Sequence, residues 1–438
     1  MKETLTITHN LIQAINSLPD ELLKSSQSGT NAKWVTHKVN AIRQYMTLAE
    51  IDTKSKLWKK LTGLELQAPI RTAGVPEISG FKHKPWLDDW SGVMEITEAK
   101  ISVYLKDELH SAGVTLKDIL SAFDGDQNSL EKTLETSLEN FDDRLSALTA
   151  GTANHGFFLS VPEGLKVDKP FKVIVKNFGT ASFFPLRFVT VLKNYSSAKV
   201  VFEFISEGEN KESCFIPMIH TSALGASSEL VLVEIQSLGA STVFFPNEAI
   251  EVGEKAALDR FFLDKGSQIT RRAFSADLNQ TGGSAQVTGV YFPSGNQRFI
   301  YDTQQNHLAS ETNSTLLFKG VLDDSAYALW KGNIFVKEGI HGADGYQLNN
   351  TLLLNPATHA ESIPGLEIST DDVKCSHGVT LSCVDKDQLF YLQTRGISEE
   401  EGKSLIVDGF IRAAISRIKS AELQEYVKEN LDETEPAF

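Results

Sequence analysis

For more than two hundred residues, from 156 to 383, the chain carries no helical periodicity of any length. Short β-rich runs follow one another instead, at 171–176, 188–192, 200–205, 229–235, 286–292, 314–320, 332–337, 350–354 and 366–369. Gly225, Gly239, Gly266, Gly282-Gly283, Gly295, Gly339 and Gly365 punctuate them. A stretch of this kind folds as a sandwich, a barrel, a propeller or a β-solenoid. Val231-Leu232-Val233 and Leu352-Leu353-Leu354 lack clean in/out alternation, which predicts strands covered on both faces. The pattern has no strict period, so it does not by itself single out a solenoid.

The flanks read differently, giving a mainly helical N-terminal domain (1–150), a β-core (151–384) and a C-terminal helical domain (385–438). Apolar residues at three- and four-residue spacing predict helices over 10–24 and 32–64, the latter with a stripe of Val35, Val39, Ile42 and Met46. A third is expected over 129–150, through Leu130, Leu134, Leu138 and Phe141, whereas the Pro- and Trp-rich 68–92 breaks helices. Beyond Cys383, Asp385-Lys386-Asp387-Gln388 and Ser398-Glu399-Glu400-Glu401 read as capping boxes, with Gly396 between them as a terminator. The second opens a helix with Ile406, Phe410, Ala414 and Ile418 on one face, and Ser420 caps another through Leu431. That stripe either packs on the β-core or is offered to a partner.

With 438 residues, 41% hydrophobic and 23% charged, the chain can bury a large core. It has no run of about 18 apolar residues and no signal-peptide core, so a membrane role is not expected. Three cysteines argue against a disulfide framework and for a reducing, cytoplasmic setting. A net charge of −15 disfavours nucleic acid and anionic membranes.

Self-sufficient active-site motifs are missing. Gly402-Lys403-Ser404 lacks the upstream glycine spacing of a phosphate loop and follows three glutamates, so no ATP site is expected. His307, His341 and His359 read as surface or turn residues, and Cys214 as a small buried hydrophobe. What remains is Cys375 and His377. On a strand, residues i and i+2 share a face, so thiol and imidazole would stand together, roughly 7 Å apart along the chain. Both suit iron, zinc and iron–sulfur chemistry, yet two donors do not close a coordination sphere. Spacing alone favours a core thiol beside a surface histidine; the neighbouring Asp371-Asp372 and Gly378 place the pair near a strand end instead.

Leu366-Glu367-Ile368, the run from Asp371 to Gly378, Leu389-Phe390-Tyr391-Leu392-Gln393-Thr394-Arg395-Gly396-Ile397 and Gly409-Phe410 resemble the C-terminal signature of the SufB/SufD family of the SUF iron–sulfur cluster assembly system. Phe318-Lys319-Gly320-Val321-Leu322, Gly332-Asn333-Ile334 and the run from Tyr346 to Leu354 resemble its β-core. Within the family, Lys374-Cys375-Ser376-His377, and the lack of any cysteine between Cys214 and Cys375, resemble SufD rather than SufB. The resemblance implies a right-handed parallel β-helix flanked by helical domains, and a non-catalytic scaffold acting with SufB and the ATPase SufC. It implies a transient iron–sulfur cluster or iron at the SufB–SufD interface, with Cys375 and His377 as ligands and SufB supplying the rest. It also implies a SufC contact at Ile406, Phe410 and Ala414. Homodimer formation in isolation and flavin binding stay open. The alternatives are a purely structural SufB-like partner that recruits SufC without ligating anything, and a carbohydrate-active β-helix enzyme. The latter needs paired carboxylates across a groove.

Overall fold

The computed structural model describes residues 32–49, 73–82, 84–123, 130, 133–134, 143–179, 181–207 and 213–432. The helix expected over 10–24, the continuation of the second expected helix past residue 49, and Leu138 and Phe141 of the third lie outside them.

Helix α1 (Ala32–Thr47) forms where periodicity places it, but on a different face. Trp34, Lys38, Ala41, Ile42 and Tyr45 are buried, while Val35 and Val39 are half-buried and Met46 is exposed. The buried set also recurs at three- and four-residue spacing. It includes a lysine, which hydropathy cannot recognise as interior; Lys38 Nζ donates to Asn154 Oδ1 at 2.8 Å.

The rest of the N-terminal region departs from the helical expectation. Strands β1 (Glu77–Gly80), β2 (Gly92–Thr97), β3 (Lys100–Leu105) and β4 (Thr115–Lys117) join the sheets of the core. Helices α2 (Asp107–Ser111) and α3 (Arg144–Thr152) follow. α1 and α3 pack together on one sheet, around Ile42, Tyr45, Leu145 and Leu148.

From β5 (His155–Val161) onward, successive strands alternate between two parallel sheets, forming a β-solenoid of eight turns. The first turns are β5 with β6 (Phe171–Asn177), β7 (Leu186–Leu192) with β8 (Ser197–Ser206), and β9 (Cys214–Leu224) with β10 (Glu229–Ser237). Next come β11 (Thr242–Val252) with β12 (Ala257–Asp264) and β13 (Ile269–Leu278) with β14 (Ser284–Tyr291). The last are β15 (Arg298–His307) with β16 (Asn313–Leu322), β17 (Tyr327–Val336) with β18 (Ala343–Leu353), and β19 (His359–Ile368) with β20 (Val373–Cys383). Even-numbered strands extend an eleven-stranded sheet that ends at β20; odd-numbered ones extend a nine-stranded sheet that ends at β19.

One corner of the solenoid repeats in backbone rather than in side chains. Gly164, Tyr195, Ser227, Lys255, Gly282, Glu311 and Gly342 all have positive φ and recur every 27 to 32 residues. Each N–H donates to a carbonyl one turn on, as in Tyr195 to Ala226 at 2.8 Å and Gly342 to Asp372 at 2.8 Å. The left-handed residue turns its N–H along the solenoid axis and so pairs a group that the corner would otherwise leave unpaired.

Interior side chains stack in register. Phe157, Phe188, Phe202, Phe204 and Phe244 fill the early turns. Later turns mix large rings with glycine, and a Cβ at Gly320 would come within 2.2 Å of the Tyr291 ring.

Three helices follow: α4 (Lys386–Thr394), α5 (Glu399–Ile415) and α6 (Ala421–Asp432). Ser398 and Glu401 make the expected capping box, Asp385 caps α4 by accepting from the Asp387 and Gln388 N–H groups, and Gly396 has φ +87°. α5 and α6 cover the outer face of the eleven-stranded sheet, with Val407, Ile411, Ala414, Ile415 and Ile418 against Val233, Phe261, Val290 and Leu317.

Candidate functional site

The last turn of the solenoid is an open mouth. β19 and β20 each stand at the end of a sheet, and among the described residues nothing pairs with their outer edges. Which side chains face the interior follows from register. In β18, Ala343, Gly345, Gln347, Asn349 and Thr351 are buried and alternate with more exposed residues. Gly345 pairs with Cys375, Gln347 with His377, Asn349 with Val379 and Thr351 with Leu381. Cys375 and His377 therefore share one face, as the i, i+2 spacing predicts, and that face is the interior row at the mouth. Trp330, Gly332, Ile334 and Val336 of β17 carry the same row onto Ser362, Pro364, Leu366 and Ile368 of β19.

These residues are exposed because no further turn among the described residues covers them. Leu366, Ile368, Val379 and Leu381 are between 38% and 45% exposed, and His377 and Cys383 are exposed as well. Cys375 is half-buried against Ile334, Val336, Ile340 and Ala343. Burial pushes its thiol above the ordinary value, and the Asp344 carboxylate adds to this against the backbone N–H of Gly345. At neutral pH it is a protonated thiol that becomes a strong ligand on losing its proton. Among the described residues no group of three or more His, Cys, Asp or Glu is arranged to hold a metal ion.

A polar layer lies beneath the mouth, where sequence reasoning placed none. His307, expected at the surface, is fully buried. Its Nδ1 lies 2.8 Å from Thr312 Oγ1 and its Nε2 2.8 Å from Ser314 Oγ, and burial lowers its pKa to about 4. His359 is exposed, as expected.

Deeper in, charges form a continuous chain. His220 Nδ1 lies 2.8 Å from Glu248, Glu248 accepts from Arg260 Nε at 2.7 Å, and Arg260 donates to Glu234 at 2.6 Å. Glu234 accepts from Arg272 at 2.6 Å, Arg272 donates to Asp264 at 2.9 Å, and Tyr301 donates to Asp264 at 3.1 Å. Burial alone would raise the Glu248 carboxyl, but Arg260 and the His220 hydrogen bond outweigh it and hold the pKa at about 2. Burial raises that of Asp264 despite Arg272. Cys214 is buried, as expected, and its thiol is pushed up by burial.

Ile406, Phe410 and Ala414 do not form one exposed stripe. Ala414 is fully buried against the solenoid, and Ile406 and Phe410 are half-buried at the edge of the same packing. Lys319 Nζ donates to the Phe410 carbonyl at 2.6 Å and lies 4.3 Å from its ring centroid. The α4–α5 hairpin instead exposes Phe390, Tyr391 and Leu405. α4 has no buried residue among its own nine.

Comparison with known proteins identifies this architecture. The SUF system FeS cluster assembly SufBD core domain matches residues 176–410, more than half of the chain. The chain belongs to the SufBD family. This SufBD protein is 29% identical to an iron–sulfur cluster assembly SufBD family protein of Mycobacterium leprae over 208 residues, 46% of this chain and 53% of that one. It is 25% identical to the iron–sulfur cluster assembly protein SufD of Bacillus subtilis over 318 residues, 72% of each chain. To SufB of the same organism it is 24% identical over 335 residues, 73% of this chain and 69% of that one. Near-equal identity to the two does not separate them. No helix among the described residues is long and apolar enough to cross a membrane.

Proposed function

We propose that this SufBD protein is the SufD-type scaffold of a SUF complex and has no catalytic cycle of its own. Its open mouth would meet a SufB-type subunit, and its C-terminal hairpin would dock the ATPase SufC. What supports this reading is an interior row left uncovered among the described residues, with Cys375 and His377 side by side on it and no third His, Cys, Asp or Glu grouped with them. Iron and sulfide are cargo here. His377, exposed at the rim, would ligate first as a neutral imidazole; Cys375 would follow once its proton leaves, and the partner would supply the remaining donors. Phe390, Tyr391 and Leu405 are a better-exposed ATPase contact than the stripe containing Ala414. A cytoplasmic setting fits the cysteine usage.

The test is co-purification of the chain with its SufB- and SufC-type partners, followed by iron and sulfide analysis. His377→Ala should keep the composition of the complex and lose most of the iron and sulfide. Full cluster content in that variant would remove the ligand role. The packing of Cys375 against Ile334 and Ala343 favours a second reading, in which this subunit only recruits SufC and shapes the interface. Normal cluster content in a Cys375→Ala, His377→Ala double variant would favour it.

A further inference from the structure

Cys375 faces two ways. Along its strand it neighbours His377, but across the sheet it stands over Gly345, which in turn stands over Ser314. The missing side chain at 345 opens a gap. A methyl carbon placed there would lie 3.2 Å from His307 Nε2, 3.3 Å from Cys375 Sγ and 3.1 Å from Ile334 Cγ2. A thiol and a buried imidazole thus border the same small space from different turns. Ser314, which holds His307 Nε2, also accepts from Gln305 Nε2 at 2.7 Å; Gln305 is 1% exposed and its Oε1 has no hydrogen-bond partner among the described residues.

We propose that Cys375 Sγ and His307 Nε2 form an inner two-donor site for a soft, monovalent thiophilic cation, with cuprous ion as its chemical type. Soft thiolates select such ions, and one sulfur and one nitrogen satisfy an ion that accepts two ligands, whereas iron and zinc need more. Binding forms an S–Cu and an N–Cu bond without electron transfer. The Cys375 thiol proton leaves to solvent at the mouth, and the Ser314 hydroxyl turns away from His307 Nε2 to free its lone pair. Apolar Ile334 closes one side and hinders expansion to higher coordination. The site is distinct from the Cys375–His377 pair, although the two share one sulfur. A seated cuprous ion would withdraw that sulfur from the mouth.

The full chain, reduced and anaerobic, is titrated with cuprous ion against a coloured cuprous chelator, and copper X-ray absorption reports the ligands. The expected result is one ion per chain held by one sulfur and one nitrogen. Cys375→Ser, His307→Gln and Gly345→Ala should each weaken binding at least tenfold, while His377→Ala and Cys383→Ser leave it unchanged. Circular dichroism checks folding, and because Gly345→Ala keeps both donors, its loss of binding reports the gap itself. Wild-type affinity in His307→Gln or Gly345→Ala, or loss in His377→Ala, would overturn the inner site. Neither result bears on cluster content in the His377 variant, so the two proposals fail separately.

Discussion

The buried ionic chain sets the sharpest demands on single residues. Arg260 and Arg272 are fully buried and shared among Glu234, Glu248 and Asp264, so removing one guanidinium strands a carboxylate without solvent. Arg260→Ala should destabilise the fold by about 3–5 kcal/mol in a denaturant titration. The chain also shapes acid sensitivity. The Glu248 pKa in the fold, about 2, lies below its ordinary 4.5. It therefore contributes stability that is fully present above pH 4.5 and lost as the pH falls towards 2. Asp264 acts in the opposite sense, because a raised carboxyl in the fold removes stability as the pH climbs through the carboxylate range. Glu248→Gln should flatten the acid side of the stability–pH profile, read as the denaturant midpoint at each pH. The cysteines give a further check. Alkylation at neutral pH should modify exposed Cys383 first, Cys375 more slowly and faster with rising pH, and Cys214 only on unfolding. Mass spectrometry reads that order directly.

At the level of elements, the strands that hydropathy missed are instructive. β11, β12 and β13 went unread because Glu248, Arg260, Asp264 and Arg272 interrupt their apolar runs. Pairing inside the solenoid makes those charges interior residues, and single-residue hydropathy cannot see a partner on another strand. His307 was misplaced because its hydroxyl partners Thr312 and Ser314, five and seven residues on, reach it only once the chain has rounded a corner. The caps of α4 and α5 were legible because their signals are local. The face of α5 was less so, and truncations can tell its two sides apart. Ile411→Ala should cost about 2–5 kcal/mol, whereas Leu405→Ala, half exposed, should stay within about 0.5 kcal/mol. At the repeating corner, Gly342→Ala forces an alanine to φ +67° and should cost about 1–2 kcal/mol by thermal melting.

For the whole molecule, the solenoid was one of four architectures the pattern allowed. Its period lies in backbone φ and not in residue type: tyrosine, serine, lysine, glutamate and glycine all serve at the same corner. The shared face of Cys375 and His377 was legible because strand alternation alone produces it. That this face is the end of a stacked interior needs the order of the sheets, which no local signal carries. Among the described residues no further turn covers the last one of the solenoid, which carries apolar residues together with Cys375 and His377; in the proposed function another chain completes it. Amide hydrogen exchange of the isolated chain and of its complex with a SufB-type partner tests this most directly. The expected result is strong new protection confined to β19 and β20, with the repeating corner unchanged. Unchanged exchange at those two strands in an intact complex would contradict it.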